Sequence, residues 1–181
     1  QRLSRGLGDV YKRQDLRLAG AEKINVNSAA IRRPDLIDEC AMSIGNQNVV
    51  LSMDVLKSAP SSSLPSGYEI VIDGGRTRTG KDALAWAHEG EKRGAGELVV
   101  NSIDADGTKA GYEIFLTSMI SNSVRIPVIA SGGAGTPEHL SEVFSEGKAD
   151  AALVASMLHY GEYTISEIKS HLNANGHQVR V

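Results

Sequence analysis

Short apolar runs alternate with longer amphipathic stretches through most of the chain. Residues 23–27, 48–54, 97–103, 126–130 and 151–154 read as strands. The stretches between and after them carry apolar residues at helical spacing. They predict helices over 34–44, from 79 to about 93, 113–121, 137–146 and 164–174. Start signals accompany them: Arg33-Pro34-Asp35, the capping-box spacing of Thr79 to Asp82, Thr136-Pro137-Glu138, and Thr164 with Glu167. Residues 28–30 read as a turn. Small or polar residues follow every strand, and Asp54 ends the second one. Five βα alternations of this kind predict an α/β domain around a parallel sheet.

The alternation breaks once, over residues 55–80. Residues 58–67 are rich in serine and proline and predict an exposed loop. Residues 68–73 form another strand pattern, Gly74 and Gly75 a turn, and Arg76, Arg78 and Lys81 make the end basic. An excursion of this length inside a compact domain is more often functional than idle.

The stretch IPVIASGGAG, residues 126–135, is a buried strand running into a glycine turn, with a helix start directly behind it. Free N–H groups and the positive end of a helix dipole would suit a phosphate there. An ordinary βα turn, whose glycines only satisfy backbone geometry, is the competing reading.

Composition narrows the class. At 181 residues the chain can bury one domain core. A net charge of −3 and a pI near 6.0 argue against nucleic acid as a main partner. No apolar run approaches the roughly 20 residues of a membrane span, and no signal-peptide pattern is visible. Cys40 lies in a helical apolar pattern and reads as a buried small hydrophobe; the five histidines are scattered, so neither metal nor cofactor is expected. The expected location is the cytoplasm. Residues 1–14 are basic and aperiodic, resemble adaptor read-through, and are expected to be non-native, leaving 15–181 as a partial domain. AEKINVNS at 21–28 also aligns with ADAALVAS at 149–156, and such a repeat suits units four apart in a (β/α)₈ barrel.

Four motifs carry a resemblance: KINVNSAA at 23–30, NSIDADGTK at 101–109, VIASGGAG at 128–135 and ADAALVAS at 149–156. Together they resemble the cyclase subunit of imidazole glycerol phosphate synthase, from histidine biosynthesis, over residues 15–180. The resemblance implies a (β/α)₈ TIM barrel of which this chain holds units four to eight, the C-terminal part. It implies ring closure on a ribulosyl formimino carboxamide ribotide with ammonia, giving imidazole glycerol phosphate and aminoimidazole carboxamide ribotide. Ammonia would come from a glutaminase subunit docked on the opposite face.

Residue by residue, the resemblance implies one phosphate grip at Gly132, Gly133, Ala155 and Ser156, and another using Asn27 and Ser28. It matches Asp54 to one of two aspartates that move protons, the other belonging to a first barrel unit. Asp106 matches a supporting acid, although Asp-Gly is also a turn-former. Ser131 would line the site. Lys23 and Glu97 match a charged gate for ammonia, and equally a structural ion pair. Asn101 stands where the family usually has threonine. Two alternatives remain. The sister isomerase of the pathway shares the repeat and phosphate turns but places threonine at the position of Asp54. A non-catalytic half-barrel would self-associate through its open edges. With one aspartate and half of one grip missing, the chain itself is expected to be inactive.

Overall fold

The structure is a computed structural model that describes residues 21–180; the expectation for residues 1–14 lies outside them. Five strands form a parallel row: β1 (Ile24–Val26), β2 (Val49–Lys57), β5 (Glu97–Ser102), β6 (Val128–Ser131) and β7 (Ala151–Ala152). They pair in the order β1-β2-β5-β6-β7, all parallel, as the βα repetition predicts. β3 (Tyr68–Ile72) and β4 (Thr77–Asp82) form an antiparallel arm that pairs with the outer end of β2.

The helices cover one side of the row. α1 (Ser28–Arg32) and α2 (Asp35–Ile44) follow β1; α3 (Ala83–Lys92) follows the arm; α4 (Ile114–Ser121) follows β5; α5 (Pro137–Ser145) follows β6; α6 (Ser156–His159) and α7 (Ile165–Ala174) follow β7. Because side chains alternate along a strand, each strand sends every second residue towards the helices. Those residues are Ile24, Val26, Leu51, Met53, Leu98, Val100, Val128 and Ala130, and all are buried. On α2, Leu36, Ile37, Cys40 and Ile44 supply the facing stripe. Each large aliphatic group so buried contributes about 1.5–3 kcal/mol over leaving it in water. The opposite sheet face holds Asn27, Asp54, Val99, Asn101, Ile129 and Ser131, all only partly buried. The chemistry-bearing side chains therefore share the face turned away from the helices.

Several boundaries differ from the sequence reading, each for a physical reason. Asp54 does not end its strand: β2 continues to Lys57 because β3 offers it an antiparallel partner, with Asp54 opposite Val71. Residues 77–82 are a strand rather than the start of a helix, and Thr79 uses its hydroxyl on the Ile70 carbonyl. The cap of α3 is Asp82, whose Oδ1 accepts from Leu84 N and Ala85 N at 3.0 and 3.1 Å. Thr136 does not cap α5 with its side chain. Its hydroxyl engages Glu138, which holds that carboxyl below its ordinary range. Residues 28–30 open a short helix rather than a turn, and β7 keeps only two of its expected residues. The capping box at Thr164 and Glu167 forms as read. The 21–28 and 149–156 segments occupy the two ends of the parallel row, and each leads into a short helix that begins at the matching serine.

Candidate functional site

In a parallel sheet every strand ends on the same side, so residues far apart in sequence meet there. Register brings Asp54 beside Asn101, and Asn101 beside Ser131. The Asp54 carboxylate accepts one hydrogen bond on each oxygen. Asn27 Nδ2 donates to Oδ2 at 3.1 Å and Asn101 Nδ2 donates to Oδ1 at 3.1 Å. Three adjacent strands thus hold one acid by two neutral amides. Asp54 is only partly buried, so a small molecule above the sheet can reach it.

Beside this acid lies the glycine turn. Gly132 and Gly133 have φ of +89° and +102°, in the region that favours glycine. A Cβ on Gly133 would stand 2.0 Å from the Gly111 carbonyl oxygen. The turn packs onto the loop after β5, where Gly111 N donates to Gly133 O at 2.9 Å. Backbone geometry therefore accounts for these glycines without a ligand. Gly135 N–H donates to His139 Nδ1 at 3.2 Å, which occupies one N–H of the expected cradle. Ala155 and Ser156 follow β7, the neighbour of β6, so they lie at an adjacent strand end.

The remaining candidates divide. Ser28 turns to the arm, its Oγ accepting from Asp73 N at 3.3 Å, and Arg32 makes two 2.7 Å bonds to the Asp73 carboxylate. Asp106 is exposed in the loop after β5, and its Cα lies 3.5 Å from where a Cβ on Gly132 would be. Its place is thus on top of the glycine turn. Lys23 and Glu97 form an ion pair at the opposite end of the sheet. Glu97 opens β5 and Asn101 lies four residues on, so about 13 Å of strand separates the ion pair from the acid. Among the described residues no group of His, Cys, Asp and Glu is arranged to hold a metal ion, and no helix is long and apolar enough to cross a membrane.

Asn101 is the site residue to which the sequence reading gave no role. Its place beside Asp54 and the hydrogen bond between them are set by the register of β2 and β5.

The model of the family described as histidine biosynthesis protein matches residues 3–164. The chain is 62% identical over 175 residues to "Imidazole glycerol phosphate synthase subunit HisF" of Desulfatibacillum aliphaticivorans, covering 97% of this chain and 67% of that one. It is 61% identical over 175 residues to the protein of the same name from Syntrophobacter fumaroxidans, covering 97% and 68%. A third, from Desulforapulum autotrophicum, is 55% identical over the same length.

Proposed function

Since the chain belongs to the histidine biosynthesis protein family, among relatives named as subunit HisF of imidazole glycerol phosphate synthase, we propose that it carries the strand-end half of that enzyme's cyclase site. The reaction is closure of an imidazole ring on a ribulosyl formimino carboxamide ribotide, with ammonia delivered by a glutaminase subunit. The observation that carries the reading is the Asp54 carboxylate, held by Asn27 and Asn101 on the open face of the parallel sheet.

In closing the ring the ammonia nitrogen joins carbon, the formimino C–N bond breaks to release aminoimidazole carboxamide ribotide, and water leaves, so protons must be both removed and returned. A positioned carboxylate with one free lone pair on each oxygen can do both in turn. Asp54 is that group in this reading, and Asp106, above the glycine turn, supports it. The turn at Ser131, Gly132 and Gly133, with Ala155 and Ser156 on the next strand end, faces one phosphate. Asn27 and Ser28 border the other. Lys23 and Glu97 stand at the far end of the sheet, where ammonia would enter from the glutaminase. The parallel row of β1, β2, β5, β6 and β7 then corresponds to units four to eight of a (β/α)₈ barrel, with the second proton-moving aspartate outside the described residues.

The test is an assay of the full-length gene product with the ribulosyl substrate and ammonium ions. Appearance of imidazole glycerol phosphate and aminoimidazole carboxamide ribotide in equal amounts supports the reading. Isomerisation of the precursor ribotide without ring closure would favour the sister isomerase and remove Asp54 from this role.

A further inference from the structure

Asn101 makes a contact that the proposed chemistry does not assign. Its side chain has two unlike ends. Nδ2 donates to Asp54 Oδ1 at 3.1 Å, while Oδ1 points towards the glycine turn, 3.1 Å from where a Cβ on Gly132 would stand. The orientation follows from chemistry: a carboxylate accepts only, so the NH₂ end of the amide must face it. From the other side Asn27 gives Asp54 its second donor at 3.1 Å. Each oxygen is thereby held by a donor from the strand on one flank. Rotation of the carboxyl about its last bond would break both hydrogen bonds at once. Neither donor carries a charge, so the carboxylate keeps its orientation without being neutralised by an ion pair.

We propose that Asn101 is a positioning residue for Asp54, acting with Asn27 as a two-sided amide clamp. The inference rests on the assignment of Asp54 above. Asn101 touches the acid rather than the reacting atoms, so its loss should alter turnover rather than binding. A misdirected general acid or base costs one to two orders of magnitude in rate when the geometry slips by about an ångström.

Two measurements test it. In the full-length gene product, Asn101→Leu should lower kcat about 30- to 100-fold with KM within about twofold, because only the oriented transition state loses support. Asn101→Thr, which keeps a donor at the same place, should recover most of that loss. In the 181-residue chain, the side-chain amide protons of Asn27 and Asn101 are read by ¹⁵N-resolved NMR. One proton of each pair should lie downfield of its twin and move back when Asp54→Ala removes the acceptor. A kcat in Asn101→Leu equal to wild type overturns the proposal, and so do amide signals that ignore Asp54→Ala. If the wild-type gene product closes no ring while the amide signals respond as stated, the clamp stands and the functional assignment fails instead.

Discussion

The antiparallel arm and the parallel row both place carboxylates near the same edge of the sheet, yet hold them in opposite ways. In the arm every acid is consumed by structure. Glu69 is buried, paired with Arg78 at 2.9 Å and accepting from Gly80 N. Asp73 accepts on both oxygens from Arg32 Nη2, and that guanidinium holds its carboxyl below the ordinary range. Asp82 caps α3 and also accepts from Ser66 N at 2.8 Å. Burial works against its charge, but the hydrogen bonds from Ser66, Ala85 and Leu84 outweigh it and lower its carboxyl. In the parallel row, Asp54 instead receives two neutral amides from flanking strands. A charge used to fasten backbone is saturated by backbone donors or a cation. In the proposed reading, Asp54 is kept for chemistry, oriented by its two amides and left with lone pairs to spare.

The largest expected effect follows from breaking the row's acid. Asp54→Asn in the full-length gene product should slow ring closure by at least about a thousandfold, the upper range for loss of one acid/base group, while a phosphorylated ligand still binds. Steady-state rates beside calorimetric binding check it. The same comparison is sharpened by two glycines. Gly133→Ala drives a Cβ into the Gly111 carbonyl at a backbone angle of +102° and should destabilise the fold by about 2–3 kcal/mol or more. Gly74→Ala, at the arm's tip with open space around it, meets only the backbone penalty at +69° and should cost about 1 kcal/mol. Urea midpoints separate them, and equal shifts would deny the close contact of the glycine turn.

Asp82→Ala should cost about 1 kcal/mol through the lost cap and leave turnover unaltered. Its pH dependence has a definite sign. A carboxyl lowered in the folded state adds stability above its unfolded value, about 3.9, and that contribution fades as pH falls through the folded value. The gap between wild type and Asp82→Ala should therefore be full at neutral pH and shrink below about pH 4, measured by thermal unfolding across that range. Arg32→Ala should be the mildest change, its urea midpoint closest to wild type, because the Arg32–Asp73 pair is exposed and screened.

The five parallel strands were legible because each is a short apolar run closed by small or polar residues, and the four matching motifs all fall on them or at their ends. β4 was not legible. Its residues, TRTGKD, offer no apolar alternation, and only pairing with β3 makes them a strand. For the same reason the cap of α3 was placed three residues early, at Thr79 rather than Asp82. α1 and α6 are a turn or so of helix, too short to show a period. At the site, the ion pair of Lys23 and Glu97 emerges from the residues that the resemblance had joined. The side chains of Asn27 and Ser28 diverge, one to Asp54 and the other to Asp73. Side-chain partners of that kind are set by strand register and by the arm's position, neither of which is local in sequence.

In the proposed reading the amide-held acid does the chemistry and the cap acid does not. A single-turnover experiment on the full-length gene product tests it most directly, with substrate first saturating wild type, Asp54→Asn and Asp82→Ala in turn. All three should bind, wild type and Asp82→Ala should convert the bound substrate at similar rates, and Asp54→Asn should leave it unconverted. Conversion by Asp54→Asn at the wild-type rate would contradict it.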